Sequence, residues 1–167
     1  MGSFPVVQRL QGKDEPINSI SAPYVMLVED NQDDVDLTLM VLRESRLANE
    51  VVVAKDGAEA LELLLGSGQH EDHGLHLPQL ILLDINLPKM SGIDVLKALR
   101  ADQRTRLVPV VMLTNSREDQ DVLESYAGGA NSYVQKPVEF EEFSQALRNL
   151  GVYWLVLNHS AAEHRLD

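Results

Sequence analysis

The chain of 167 residues contains no cysteine, and only 5% of its residues are aromatic. The absence of cysteine excludes a disulfide framework, a thiolate nucleophile and a cysteine-based zinc site. No segment approaches the roughly 18 to 20 consecutive apolar residues of a membrane-spanning helix. The amino terminus also lacks the basic segment and apolar core of a secretory signal. We therefore expect a cytoplasmic protein with no membrane partner.

Basic residues are also scarce, because 14 Lys and Arg face 26 Asp and Glu, which gives a net charge of −12. A surface of that sign repels the phosphate backbone of nucleic acids, so we expect no nucleic-acid partner. Hydrophobic residues make up 44% of the chain and charged residues 24%, a globular composition. The length suits one domain with a full core.

Four short apolar runs each end in a polar residue that is able to take part in chemistry. These runs are Tyr24 to Val28 before Glu29 and Asp30, Leu80 to Leu83 before Asp84, Val108 to Leu113 before Thr114, and Tyr133 to Gln135 before Lys136. Short apolar runs that alternate with helical patterns are typical of buried parallel strands. The carboxyl ends of such strands form the ligand crevice of an open sheet, so we expect the polar residues to converge there.

Helical spacing of apolar residues follows each run, and a further β-branched run at Glu50 to Ala54 completes five strand-helix units. This alternation predicts an α/β, flavodoxin-like, doubly wound domain over residues 23–150. Its five-stranded parallel sheet has the order 2-1-3-4-5, counting from Tyr24. Residues 1–22 contain two prolines, Pro5 and Pro16, and no sustained period, which predicts a flexible amino-terminal tail or a loosely docked arm.

Asp84 is the best-placed nucleophile of the predicted crevice, because a carboxylate can attack a phosphoryl group and form an aspartyl-phosphate. The added negative charge requires a cation, since two anions about 4 Å apart repel by roughly 4 kcal/mol at an effective dielectric constant near 20. Mg²⁺ takes carboxylate and carbonyl oxygens. We predict a site formed by Asp30, Asp84 and the backbone carbonyl of Asn86, with Glu29 oriented through water.

Lys136 and Thr114 complete the predicted site as groups that bind phosphoryl oxygens, one through its ammonium and the other through its hydroxyl. Taken singly, each polar residue has an ordinary structural explanation as a helix cap, a turn residue or a solvated surface lysine. Four strand ends that each carry the residue type needed by this chemistry favour a functional site.

Four motifs occur in a fixed order along the chain. They are Met26-Leu27-Val28-Glu29-Asp30-Asn31, Leu82-Leu83-Asp84-Ile85-Asn86-Leu87-Pro88 with Met90-Ser91-Gly92, Leu113-Thr114, and Lys136-Pro137. Together they resemble the receiver domain of two-component response regulators over about residues 24 to 150. The resemblance implies that Asp84 is the phosphoacceptor, that Glu29 and Asp30 form the acidic pair, and that a sensor histidine kinase is the phosphoryl donor.

The same resemblance implies a conformational switch in which Thr114 moves toward the phosphate and Tyr133 turns inward. Half-buried packing is the alternative role of Tyr133. Lys136-Pro137 resembles the cis peptide bond of the family. In the family, the positions of Asn86 and Ser116 tune the phosphate lifetime. Because neither residue is bulky or charged, we expect a moderate lifetime.

These features predict a single-domain response regulator that catalyses only its own phosphorylation and dephosphorylation. An aspartyl-phosphate phosphatase is one alternative, but such enzymes need a second acid two residues after the nucleophile, where Asn86 stands. A degenerate receiver that acts only as a binding module is the other alternative, although all residues needed for phosphorylation are present.

An apolar stripe extends from the predicted fifth helix into residues 151–167, the predicted carboxyl-terminal extension. Its members, at steps of three and four, are Phe140, Phe143, Leu147, Leu150, Trp154 and Leu157. The expected dimer contacts are Phe143, Leu147, Leu150, Tyr153, Trp154 and Leu157. The stripe continues as a long helix, or Gly151 ends the helix and an extra strand or arm follows. We predict a homodimer through the predicted fourth helix, fifth strand and fifth helix together with this extension, with folding back of the extension on its own domain as the alternative. Such an ending is similar to that of the regulators that serve bacterial phytochromes, which makes a bacterial phytochrome the expected kinase.

Overall fold

The computed structural model describes residues 6–9, 15–16, 24–45, 50–66, 77–115 and 119–150. The strands and helices are β1 Val6–Arg9, β2 Glu15–Pro16, β3 Tyr24–Val28, α1 Gln32–Ser45, β4 Glu50–Ala54, α2 Gly57–Leu65, β5 Leu80–Asp84, α3 Gly92–Ala101, β6 Val110–Thr114, α4 Asp119–Ala127, β7 Ser132–Gln135 and α5 Phe140–Leu150. From Tyr24 onward, strands and helices alternate as predicted. Within these ranges, no helix combines the length and the apolar character that a membrane crossing requires.

Five parallel strands lie next to one another in the sheet in the order β4-β3-β5-β6-β7. Counted from Tyr24, this is the predicted order 2-1-3-4-5, so the flavodoxin-like fold is confirmed. Every residue of β3, β4, β5 and β6 is buried. Helices cover both faces of such a sheet, which is why the strands read as continuous apolar runs rather than as alternating patterns.

The hydrophobic core has two parts, one on each face of the sheet. Val25 and Leu27 of β3 belong to the part that also contains residues of α1 and α5. Met26 and Val28 belong to the other part, together with residues of α2 and α3. Successive residues of a strand point to opposite faces, so one strand supplies both parts. The two packed faces hold the carboxyl ends of the strands in fixed positions.

Of the predicted amino-terminal tail or arm, the structure describes two segments, residues 6–9 and 15–16, and both are strands docked on the sheet. β1 pairs with β4 in an antiparallel arrangement, with Val7 opposite Val52, and β2 pairs with β1. Without β1, one side of β4 would be a sheet edge with unpaired backbone groups, which a further strand can satisfy. Pro16 lies in the outermost strand, where a missing N–H is tolerated. Over the part of the chain that the structure describes, the sheet therefore has seven strands.

The structure corrects two of the predicted dimer contacts. Phe143 and Leu147 of α5 are 0% exposed, and both lie in the core beside β3 and α1. A stripe at helical spacing indicates a buried face, but it does not distinguish a partner chain from the helix's own sheet. Leu150 packs partly against the same core. The remaining predicted contacts are Tyr153, Trp154 and Leu157, and all three lie outside the described residues. The choice between a continued helix and an arm concerns the same undescribed segment.

Candidate functional site

Three carboxylates meet at the carboxyl ends of β3 and β5. Oxygens of Glu29, Asp30 and Asp84 all lie within 4.8 Å of one another. β3 and β5 are neighbours in which Val28 pairs with Leu83, so the residues that follow these two leave the sheet side by side. Glu29 and Asp84 are buried and Asp30 is exposed. The structure thus brings together the three predicted acidic ligands, with one of them open to solvent.

This oxygen cluster fits Mg²⁺, a hard cation that takes one or two protein carboxylates and keeps several waters. The exposed Asp30 leaves a path for the ion and its waters. When bound, Mg²⁺ supplies charge neutralisation at the carboxylates and at the phosphoryl oxygens. Asn86 lies at the exposed start of the loop after β5, and its backbone carbonyl stays a predicted ligand.

Lys136, directly after β7, extends its ammonium into the carboxylate cluster. Its Nζ atom lies 2.7 Å from Glu29 Oε2 and 3.1 Å from Asp84 Oδ2. The lysine is buried, and its backbone N–H donates to the carbonyl oxygen of Thr114 at the end of β6. The predicted cis peptide bond between Lys136 and Pro137 is present. One cation therefore bridges the two buried carboxylates.

Asp34 is a third partner of this ammonium, and sequence reasoning missed it. Its Oδ2 atom lies 2.9 Å from Lys136 Nζ. Asp33, Asp34 and Asp36 crowd the start of α1, a pattern that is explained well enough by the helix dipole. Of these three, which all lie within the described residues, only Asp34 forms an ion pair with Lys136. The chain pattern offered no signal that separates it from its neighbours.

Burial and charge shift the ionisation of the two buried partners. Burial raises the pKa of Glu29 to about 7; the hydrogen bond from Lys136 opposes this shift, and the nearby charge of Asp84 adds to it. Burial acts to lower the pKa of Lys136, but the hydrogen bonds to Glu29 and Asp34 and the charge of Asp84 outweigh it, so that pKa is raised. Lys136 therefore holds its proton tightly. In the metal-free site, this one ammonium faces three carboxylates, so negative groups outnumber positive ones.

The loop between β5 and α3 is held closely against Asp84. The backbone N–H of Asn86 donates to Asp84 Oδ1 at 3.1 Å, and the N–H of Gly92 donates to the carbonyl oxygen of Ile85 at 2.8 Å. A Cβ atom at Gly92 would lie 2.1 Å from the carbonyl oxygen of Asp84, so only glycine fits there. Lys89 within the loop has a positive φ of 70°. The loop thereby orients the Asp84 side chain.

Thr114, one predicted switch residue, is the last residue of β6, and Tyr133, the other, is the second residue of β7 and lies opposite Met112. Leu113 pairs with Asp84 across β5 and β6, so Thr114 stands one position beyond this pair, and it is fully buried. Tyr133 is half-buried and packs against the core on the side of α2 and α3. This contact agrees with the packing role, while the switching role stays a prediction. Ser116 lies outside the described residues.

The family assignment follows from the whole sequence. Residues 25–148 match the response regulator receiver domain family. The chain therefore belongs to the response regulator receiver domains, the signal-receiving modules of two-component systems, as the sequence motifs predict. Neither a phosphatase nor a degenerate binding module is favoured by this match.

Individual relatives resemble the chain over most of their length. The solved bacteriophytochrome response regulator AtBRR is 47% identical with a TM-score of 0.71, covering 81% of this chain and 96% of that chain. The phosphorylated cyanobacterial phytochrome response regulator RcpA is 34% identical with a TM-score of 0.67, covering 81% and 95%. The response regulator Rcp1 of Synechocystis sp. is 34% identical over 131 residues, 78% of this chain and 88% of its own length. Its Mn²⁺-bound structure is 33% identical with a TM-score of 0.63, covering 78% and 91%.

Proposed function

We propose that Asp84 accepts a phosphoryl group from a sensor histidine kinase in a Mg²⁺-dependent reaction. The observation that carries this proposal is the position of Asp84 Oδ2, which lies 3.1 Å from Lys136 Nζ within the three-carboxylate cluster. An ammonium at this distance stabilises negative charge that arrives at the same oxygen. A relative of 34% identity, RcpA, has been solved in a phosphorylated form, which supports the same chemistry here.

In the proposed step, an Asp84 carboxylate oxygen attacks phosphorus and the bond between phosphorus and the donor histidine nitrogen breaks. The imidazole leaves, and an acyl phosphate remains on Asp84. Lys136 binds a phosphoryl oxygen through its ammonium, and Thr114 donates its hydroxyl to another. The product is later hydrolysed by water. Because Asn86 provides no acid two residues beyond Asp84, the domain acts as a switch rather than as a turnover enzyme.

Incubation with acetyl phosphate and Mg²⁺, followed by intact mass measurement, tests the phosphoacceptor. We expect the wild-type mass to rise by one phosphoryl group and the Asp84→Asn mass to stay unchanged. Asp94→Asn is the matched control, because Asp94 is an exposed acid on α3 away from the three-carboxylate cluster. Chelation of Mg²⁺ should abolish the adduct. An adduct on Asp84→Asn, or none on the wild type, would contradict the proposal.

The conformational response is assigned to Thr114 and Tyr133. Thr114→Ala should still be phosphorylated, because the nucleophile and the carboxylates are intact, but the amide shifts of β7 should respond less to phosphorylation. Thr114→Ser keeps the hydroxyl and should restore the response. Equal shifts in wild type and Thr114→Ala would remove Thr114 from the switch.

The small, uncharged Asn86 and Ser116 side chains support a moderate phosphate lifetime, which the decay of the adduct mass measures.

We assign the kinase partner to the bacterial phytochromes, a class of photoreceptor kinases. Two solved regulators named for bacteriophytochromes, AtBRR and RtBRR, are 47% and 46% identical to this chain. Phosphotransfer from a purified bacterial phytochrome kinase should be faster than from a sensor kinase of another input class. Equal rates would argue against this partner.

The proposed output surface is a homodimer formed through Leu150 and the extension over residues 151–167. The burial of Phe143 and Leu147 restricts the candidate contacts to Leu150, Tyr153, Trp154 and Leu157. Light scattering of a chain truncated at Gly151 should report a monomer, whereas the full chain should report a dimer. An unchanged dimer after truncation would exclude the extension from the dimer interface.

The proposed location of the protein is the cytoplasm.

A further inference from the structure

The ammonium of Lys136 has three carboxylate partners, and two of them belong to the three-carboxylate cluster of Glu29, Asp30 and Asp84. Its Nζ lies 2.7 Å from Glu29, 2.9 Å from Asp34 and 3.1 Å from Asp84. An ammonium has three N–H donors, so these three partners account for all of them. Glu29 and Asp84 are also members of the oxygen cluster that suits Mg²⁺, whereas Asp34 is not.

Lys136 and a divalent cation therefore compete for the same two buried carboxylates. Each stabilises negative charge on Glu29 and Asp84, and each is less favourable when the other is close, since like charges repel. We therefore expect loading of the metal site to weaken the contact between Lys136 and these two residues. A buried ammonium that loses its partners is costly, so its alternative partner influences metal affinity.

We propose that Asp34 is a positioning residue that retains the Lys136 ammonium when Mg²⁺ occupies the site, and that it thereby strengthens Mg²⁺ binding. This inference rests on the metal site of the proposed function. Asp34 suits the role because its side chain is 30% exposed, against 1% for Glu29 and 3% for Asp84. The ammonium can move toward it, away from the buried pair, without losing charge compensation.

The turn between β3 and α1 fixes Asp34 relative to Glu29. The backbone N–H of Asn31 donates to Glu29 Oε1 at 3.2 Å, and the Asn31 side-chain oxygen accepts from the backbone N–H of Asp34 at 3.1 Å. One residue thus connects the Glu29 carboxylate to the backbone of Asp34 at the start of the helix. This cap sets the backbone position from which the Asp34 side chain reaches Lys136.

Mg²⁺ titration of the full-length protein, followed by calorimetry, tests the inference without requiring phosphorylation. Asp34→Asn should raise the Kd for Mg²⁺ roughly fivefold, the size expected of a coupling carried by one ion pair of intermediate exposure. Asp33→Asn is the matched control, because it removes the same charge from an exposed neighbour on the same turn and should change Kd by less than about twofold. Asp34→Glu, which keeps the carboxylate, should recover most of the affinity.

A double substitution separates positioning from simple loss of charge. Lys136→Met removes the competing ammonium and should tighten Mg²⁺ binding; in that background Asp34→Asn should have no more effect than Asp33→Asn. Equal effects of Asp34→Asn and Asp33→Asn in the wild type would overturn the inference, as would an Asp34→Asn effect that persists without Lys136. By contrast, Mg²⁺ binding that is absent in the wild type, or unchanged in Asp84→Asn, would overturn the proposed metal site itself.

Discussion

Lys136 Nζ lies 2.7 Å from Glu29 Oε2, although 107 positions separate the two residues along the chain. β5 and β6 stand between β3 and β7 in the sheet, so the lysine side chain reaches across the ends of two strands. Parallel strands bring their carboxyl ends to one edge, and this geometry makes the contact possible. The pair joins β3 and β7, which are the first and last parallel strands in chain order, at the functional site.

Substitution of Lys136 by Met should destabilise the metal-free protein. It leaves the buried carboxylates of Glu29 and Asp84 without their ammonium, and the breaking of a buried ion pair costs about 3 kcal/mol. Urea unfolding above the pKa of Glu29 should show this loss, and excess Mg²⁺ should reduce the deficit because the cation replaces the missing charge. Lys97→Met, at an exposed position on α3, should change the free energy of unfolding by less than about 0.5 kcal/mol.

The stability of the metal-free protein should depend on the ionisation of Glu29. The pKa of this group is about 7 in the folded chain, against 4.5 as its ordinary value. The folded state therefore binds the proton more tightly than the unfolded state, so the stabilising contribution is full below the ordinary value and disappears as the pH rises through about 7. Urea unfolding across this range, with Glu29→Gln as the reference, measures the effect. A stability difference between the two proteins that does not change with pH would contradict it.

Mg²⁺ binding should strengthen over the same range of pH, because a protonated Glu29 does not compensate the cation. Calorimetric titrations in buffers of different ionisation enthalpy should detect the proton released on binding. The release should disappear in Glu29→Gln.

Substitution of Gly92 by Ala should disturb the loop that carries Asp84. The added Cβ would lie 2.1 Å from the backbone carbonyl oxygen of Asp84, a contact that only a backbone shift can relieve. We expect a loss of about 3 kcal/mol in the free energy of unfolding and slower phosphorylation by acetyl phosphate. Gly128→Ala is the control, because its closest contact is a Leu96 side-chain atom at 3.1 Å, which can move. Equal losses in the two variants would exclude the steric explanation.

Substitution of Val7 by Pro should detach β1 from the sheet. Proline has no N–H for the ladder and is poorly tolerated between two paired strands. Hydrogen exchange of the peptide that spans β4 should then become faster, because Val7 lies opposite Val52. The exposed edge of β4 should also promote association at high protein concentration. Unchanged exchange in β4 would contradict the pairing.

The sequence predicted the five parallel strands, their order and the convergence of Glu29, Asp30 and Asp84. Strands buried on both faces are apolar throughout, so their ends are visible in the chain, and the topology of strand-helix units then brings those ends together. By contrast, the sequence predicts a flexible tail or a loosely docked arm where the structure has β1. Its pairing depends on the free edge of β4, about which the short run at Val6 and Val7 carries no information.

The sequence by itself determined the family, the parallel fold and the chemical type of the site, because each depends on local patterns and on residue types at strand ends. Only the tertiary structure decided which face α5 buries, and hence that Phe143 and Leu147 belong to the core. It also selected Asp34 from a row of acids on α1 as the outer partner of Lys136. Both outcomes depend on distances between residues far apart in the chain, which packing fixes and periodicity does not encode.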